Sequence, residues 1–291
     1  MGVGEAIAHG AATIINAIAT GRGAAFGVDL WTKALVQLTD EAGEVSGMIR
    51  SEPNEDASLM REAVLAVFHH FKLGGTFGAY VETDSNIPIA KGLKSSSTAA
   101  NAIVLATIAA LGEKLEDESV LNLAVDAAIN ARTTITGAFD DACASFFGNV
   151  VVTDNMERKM LERFDITEGL IALFHIPPQK SYTYTSNVAR MKLIAPQVEI
   201  AFREALSGNY WTALTLNGAL YSAALGYDGQ LAIDALEAGA LASGLSGKGP
   251  ATVAVVFRDR AREVMDAWRP YGGKLIEARI NKEYARATRR G

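Results

Sequence analysis

The chain of 291 residues has a single cysteine, Cys143, so no intramolecular disulfide can form and no cysteine-based zinc site is available. It has no excess of positive charge. The formal net charge is −6, which argues against a general nucleic-acid binder. No apolar run approaches the roughly 20 residues that a membrane span needs. The most apolar one, Ala99 to Leu111, is 13 residues long and contains Asn101 and Thr107. The N-terminus lacks a basic stretch followed by an apolar one, so no secretory signal is expected. His9, His69, His70 and His175 do not fall at metal-ligand spacing, and Trp31, Trp211 and Trp268 form no stacking pattern. There is no internal repeat and no low-complexity linker. These absences leave a cytoplasmic protein with no nucleic-acid or membrane partner as the expectation.

Hydrophobic residues make up 49% of the chain and charged residues 21%, enough for a sizeable packed core. The length suits one large domain or two ordinary ones. Residues 4–18 read as a first strand with a glycine break, Val28 to Leu38 as a second and Val45 to Arg50 as a third. The glycines between 21 and 27 read as a turn, because their spacing does not match a dinucleotide-binding fingerprint. Asp56 or Ser58 is expected to cap a helix running to about Lys72, ended by Gly74-Gly75. A strand over 77–83 follows, then an apolar helix from Ser97 to Leu111 closed by Gly112, and a helix capped by Asp117. Strands are expected over 150–153, 159–164, 169–176, 252–257 and 274–279. Helices are expected over 188–206, 210–225, 231–240 and from Asp259 to Trp268. The tail after Arg279 reads as basic and solvated. Strands cluster early and helices follow, which indicates α+β rather than a repeating parallel α/β sheet. A boundary near residue 160 divides the chain into 1–160 and 161–291.

Three stretches carry chemistry. The first is Pro88-Ile-Ala-Lys91-Gly92-Leu93-Lys94-Ser95-Ser96-Ser97-Thr98, which opens the Ala-rich helix. Pro88 sets the chain direction after the strand, and Gly92 permits backbone angles that other residues resist. The serines and Thr98 are good helix caps. The first amides of a helix lack intrahelical partners and carry part of its dipole, so such a loop suits a phosphate. A capped strand–helix junction and a phosphate cradle are equally compatible with these residues. The second stretch is Asp140-Asp141, two carboxylates inside an apolar segment. They suit either a solvated turn or helix cap, or a general base. The third is Gly244-Leu-Ser246-Gly247-Lys248-Gly249-Pro250, where three glycines in six residues expose backbone amides. It is not a Walker loop, and a tight turn before a strand would account for it too.

Together, and in this order, the three stretches resemble the motifs of the GHMP kinases. Pro-x3-Gly-Leu-x-Ser-Ser resembles the family's phosphate loop, with Lys94 where the family has Gly or another small residue. Counting back seven from Gly148 places the family's catalytic carboxylate on Asp141, with Asp140 as runner-up, and Asn149 replaces the family's second glycine. Residues 13–30, Thr136-Gly-Ala-Phe-Asp-Asp-Ala, Arg190-Met-Lys192-Leu-Ile and Ala242 to Pro250 are similar to the archaeal-type shikimate kinases. The resemblance implies a two-part fold, with an N-terminal half like ribosomal protein S5 and a ferredoxin-like C-terminal half. It implies ATP-dependent phosphorylation of shikimate on the way to chorismate and aromatic amino acids. The alternatives are a homoserine or mevalonate kinase of the same fold, or a non-catalytic metabolite sensor.

The site expected on this basis holds phosphate on Pro88, Gly92, Leu93, Lys94, Ser95, Ser96, Ser97, Gly247 and Gly249. Shikimate has a carboxylate and three hydroxyls. Arg190 and Lys192 are the leading partners for its carboxylate, or else a charged helix start. Asn16 is available to a substrate hydroxyl, or to backbone at a strand end. Mg2+ is expected on Ser96. Family members often supply an acidic second ligand some ten residues before the catalytic Asp. Here Ile129-Asn130-Ala131-Arg132 has no carboxylate, which leaves Glu82, Asp140 or water. Cys143 and His175 read as core residues. The chain is expected to act as a monomer or homodimer.

Overall fold

The structure is a computed structural model describing residues 2–89, 91–178 and 187–290. Its N-terminal half is built on two long strands, β1 (Val3–Ile15) and β2 (Arg22–Thr39), paired antiparallel. They are followed by β3 (Val45–Ile49), α1 (Ser58–His70), β4 (Gly78–Ser85), α2 (Ser95–Leu111), α3 (Asp117–Asn130), α4 (Phe139–Phe147), β5 (Val150–Asp154) and β6 (Lys159–Phe164). β3 and β4 run parallel, with α1 as the crossover between them, and β5 pairs with β2 and β6. Small and branched residues alternate toward one face of this sheet. Ala6, Ala8, Ala34, Val36, Ala79 and Val81 are all buried against the helices. The period of two fixes which face α1 to α4 cover.

The second half runs β7 (Leu170–Ile176), α5 (Val188–Lys192), α6 (Ala195–Leu206), α7 (Tyr210–Leu225), α8 (Gln230–Glu237), β8 (Ala242–Leu245), β9 (Thr252–Phe257), α9 (Ala261–Trp268) and β10 (Lys274–Arg279). Its sheet order is β10-β7-β9-β8, all antiparallel. That is a βαββαβ arrangement with order 4-1-3-2, the ferredoxin-like plan. Register shifts at His9/Gly10 and at Thr13/Ile15 turn β1, so Ala12, Ile14 and Ile15 join a second core. In that core they meet Ala172, Phe174, Val253 and Val255 of the second sheet and Phe202 and Leu214 of the helices. One strand therefore serves both cores.

Several expectations need correction. Gly23 and Gly27 lie inside β2, which starts at Arg22, and the turn precedes them. The 188–206 segment is two helices broken at Leu193-Ile194, with Pro196 in the first turn of α6. The serines do not cap α2. Its N-cap is Lys94. Asp117 is the first helical residue of α3 rather than its cap. A short 3-10 turn, 258–260, precedes α9. The second glycine-rich stretch begins inside a strand: Ala242, Ser243, Gly244 and Leu245 form β8, buried and paired to β9. The basic tail is not solvated coil. Residues 286–290 form β11, which returns to pair with β1. An edge strand needs backbone partners and little apolar surface, so its charged sequence hid it.

Candidate active site

The phosphate loop is welded to its surroundings before it reaches α2. Leu93 is 1% exposed in the second core. Lys91 Nζ donates to the carbonyls of Pro177 and Pro178 at 2.8 and 2.6 Å, at the end of β7. Ser246 Oγ donates to the Gly92 carbonyl at 2.8 Å. Gly92 has φ +86°, and a Cβ there would stand 2.5 Å from the Ser246 carbonyl oxygen, so only glycine lets the two loops meet. The next residues turn into α2 through Lys94, held in the left-handed region at φ 64° and ψ 30°. A non-glycine residue there carries strain of order 1 kcal/mol, of the kind that concentrates at functional sites.

Two helix N-termini face one cavity. Ser95, Ser96 and Ser97 open α2 on one side, and Phe139, Asp140 and Asp141 open α4 on the other. The N-cap of α4, Ala138, is also left-handed, at φ 49°. The α2 amides point a partial positive charge at the cavity, and the α4 dipole favours carboxylates in its first turn. The aspartates are therefore not a solvated turn. They are 3% and 6% exposed. Lys94 Nζ pairs with Asp141 Oδ2 at 3.0 Å, linking the phosphate loop to α4. The other oxygen, Asp141 Oδ1, is buried with no hydrogen-bond partner. A Cβ at Gly247 would stand 2.9 Å from Lys94 Nζ, so the second glycine loop leaves that lysine its room. Asp140 turns the other way. Its Oδ1 accepts from Asn155 Nδ2 at 2.7 Å. Burial, and then the charge of Asp141, pushes its carboxyl up to about 7.

Asn16, Gly92, Lys94, the three serines, both aspartates, Gly247 and Gly249 all line this cavity. Pro88 and Leu93 shape the loop without lining it. Asn16 is pinned by α7: its N–H donates to Asn217 Oδ1 at 3.1 Å and its carbonyl accepts from Tyr221 Oη at 2.9 Å. Its own Oδ1 is taken by the amide of Ile18. Arg190 and Lys192 are not brought in. Both are exposed on α5, and neither lines the cavity. The cation that sequence reasoning left out of the site is Lys248, beside Gly247. Burial, and then the charge of Lys94, lowers its ammonium to about 8. Thr133 to Thr136, between α3 and α4, line the cavity too. Asn155, Asn217 and Tyr221 were also missed. Only the i, i+4 spacing of the last two on one helix face hinted at a shared target.

A second cavity of about 560 Å³ opens on the far side of Ser95 and Ser96. Ile49, Leu59, Met60, Ala99 and Ile103 line it, with Arg132 and Thr133 toward the first cavity. Among the described residues, no group of three His, Cys, Asp or Glu side chains gathers as a metal site. Glu82 pairs with Arg50 and lies in a separate surface depression, away from this cavity. Ser96 lines the cavity, while Asp140 is bonded to Asn155 and Asp141 is paired with Lys94. A single hydroxyl fits Mg2+, which commonly takes few protein ligands and keeps waters and phosphate oxygens. Among the described residues no helix is long and apolar enough to cross a membrane.

A model of the GHMP kinases N terminal domain matches residues 58–149, the segment from α1 through α4. A shikimate kinase of Methanothermobacter thermautotrophicus is 46% identical over 282 residues, which cover 95% of each chain. One from Pyrococcus abyssi is 42% identical over 271 residues, covering 92% of this chain and 96% of its own. Among solved structures, a homoserine kinase from Cytophaga hutchinsonii has a TM-score of 0.77 at 18% identity, covering 98% of this chain and 97% of its own. The mevalonate kinase of Methanococcus jannaschii has a TM-score of 0.75 at 13% identity, covering 95% and 98%. At such identities the solved structures speak for the fold alone. The fold, the paired loops and the near-full-length identity agree: the chain belongs to the archaeal shikimate kinase family of the GHMP kinases.

Proposed function

We propose that the chain transfers the γ-phosphoryl group of ATP to the 3-hydroxyl of shikimate, with Asp141 as the general base. Identity of 46% along 95% of both chains supports the acceptor. One observation carries the chemistry: Asp141 has one oxygen on Lys94 at 3.0 Å and the other buried without a partner. An unpartnered buried acceptor is costly to maintain, and a substrate hydroxyl would satisfy it. In this reading the hydroxyl proton passes to Asp141 Oδ1, the hydroxyl oxygen forms its bond to the γ-phosphorus, and the bond to the β-bridging oxygen breaks, releasing ADP. Phosphoryl transfer needs positioning and charge neutralisation more than covalent help.

The adenine base is assigned to the apolar cavity and the phosphates to the α2 N-terminus, since Ser95 and Ser96 line both cavities. Ser96 would hold Mg2+, which when bound would supply positive charge to offset that of the phosphates. Lys248 replaces Arg190 and Lys192 as the partner assigned to the shikimate carboxylate, because it lines the cavity and they do not. Asn16 is the hydroxyl-binding candidate, its backbone locked by Asn217 and Tyr221. A cytoplasmic location belongs to the same reading, where ATP is available. The Lys94–Asp141 pair disfavours a sensor without catalysis, because such a protein has no use for a buried base. A coupled ADP-release assay on purified chain with shikimate, homoserine and mevalonate tests the proposal. Turnover with shikimate is expected. Turnover confined to either of the others would overturn the substrate assignment.

A further inference from the structure

Two adjacent carboxylates open α4, and Lys94 pairs with only one of them. Both are close enough to Lys94 for its charge to be felt at Asp140. Something decides which one the lysine meets. The answer lies behind α4, in the sheet. Asn155 follows β5 and presents its amide edge-on to Asp140. Its Nδ2 donates to Asp140 Oδ1 at 2.7 Å, and its Oδ1 accepts the Asp140 N–H at 3.2 Å. Thr153 Oγ1 donates to the same Asn155 Oδ1 at 2.7 Å, which fixes the amide's orientation. Asn155 is itself anchored by its own N–H on the Gly21 carbonyl at 2.8 Å. The other oxygen of Asp140 is accommodated by a missing side chain, since a Cβ at Gly23 would stand 2.5 Å from Asp140 Oδ2. β2, β5 and the turn after β5 thus form a socket for one carboxylate, with 4% of Asn155 and 3% of Asp140 exposed.

We propose that Asn155 is a positioning residue for phosphoryl transfer: by holding Asp140 back against β2 and β5, it leaves Lys94 to Asp141 alone and keeps Asp141 Oδ1 open to the acceptor hydroxyl. The inference rests on Asp141 being the base. Among the described residues, Cys143 on its own helix and Tyr221 on α7 also feel the charge of Asp140, and neither is a cation. Lys94, among the described residues, is the cation whose charge is felt at Asp140. Freed from Asn155, Asp140 would compete for it with Asp141.

Asn155→Leu, which keeps the branching at Cγ in a somewhat larger side chain and loses all three side-chain hydrogen bonds, is measured in the wild-type chain and in an Asp140→Asn background. Asp140→Asn can still accept from Asn155 Nδ2 but carries no charge to compete for Lys94. In the wild type, kcat is expected to fall about 10- to 100-fold, the usual range for a supporting residue, with the KM for ATP changed by less than about twofold. In the Asp140→Asn background the same substitution should change kcat by less than about twofold, although thermal stability falls in both. An equal fall of kcat in both backgrounds would overturn the proposal and leave Asn155 a structural residue. So would an inactive Asp140→Asn chain, because Asp140 would then do chemistry itself. Asn155→Ser, a smaller change, gives the same comparison if the leucine variant does not fold. Wild-type turnover in Asp141→Asn would instead remove the underlying assignment of the base, independently of the cycle.

Discussion

Replacing Lys94 by methionine separates what the lysine does for the fold from what it does for the base. The side chains of Lys94 and Asp141 are 12% and 9% exposed and meet at 3.0 Å. Removing one partner of a buried pair leaves an uncompensated charge and costs about 3–5 kcal/mol. The small remaining exposure lets some water reach the carboxylate, so Lys94→Met should lose about 3 kcal/mol at pH 7. The left-handed backbone at 94 is untouched by that substitution. Lys94→Gly relieves it and should recover about 1 kcal/mol of the loss. Adding Asp141→Asn to Lys94→Met replaces the stranded charge with a neutral amide and should restore about 2 kcal/mol. Urea unfolding of the four chains without ligand, with slopes compared to confirm the same transition, measures these terms. A loss below about 1 kcal/mol in Lys94→Met, or a double variant less stable than the single one, would refute the pairing as the element that tolerates the buried base.

Other consequences follow from the same geometry. Asp140 has its carboxyl raised from 3.8 to about 7 by burial and by Asp141. Below pH 4 both states hold the proton. Between pH 4 and 7 the unfolded chain releases it while the folded chain keeps it, so this residue costs stability as pH rises and the cost levels off above 7. Asp140→Asn should therefore gain on the wild type across that window in pH-resolved unfolding, and a constant difference would contradict the burial argument. Lys248, lowered to about 8, should lose its charge as pH rises through that value. The KM for shikimate should then rise in wild type and stay flat in Lys248→Met. Gly92→Ala places a Cβ 2.5 Å from a backbone carbonyl at φ +86°, so ATP affinity and melting temperature should fall together. Leu93→Ala removes a side chain that is 1% exposed and should cost about 2–5 kcal/mol by the same unfolding assay.

Much of the fold was legible because its signals are local. β1, β4, β7, β9 and β10 show apolar content with turn residues at their ends, and α2 is mostly apolar from Ala99 onward with a glycine C-cap. The loop ahead of α2 was legible as a motif. The arrangement at Lys94 was not, because its partner Asp141 lies 47 residues further on, and no periodicity connects a loop to the first turn of another helix. β8 was read as loop because its serine and glycine content suggests a turn. Gly244 is there for space: it lies in a buried strand where a Cβ would come within 2.9 Å of Gly218 Cα and the Leu214 carbonyl on α7. Arg190 and Lys192 were chosen for their chemistry, but helix α5 keeps them outside the cavity, and charge alone carries no address. Asn155 was invisible for the opposite reason. An asparagine after a strand looks like ordinary turn chemistry, and its purpose exists only once α4 sits beside it.

The central claim is that Asp141, held by Lys94 and left with one open oxygen, takes the proton of the acceptor hydroxyl. Single-turnover phosphorylation of shikimate by the Asp141→Asn chain, with the ATP dissociation constant measured in parallel, tests it most directly. The account predicts a fall in rate of about 10²- to 10⁴-fold, the usual contribution of a general base, with ATP affinity within about twofold of wild type. A rate near wild type in Asp141→Asn, with the loss appearing in Asp140→Asn instead, would contradict it.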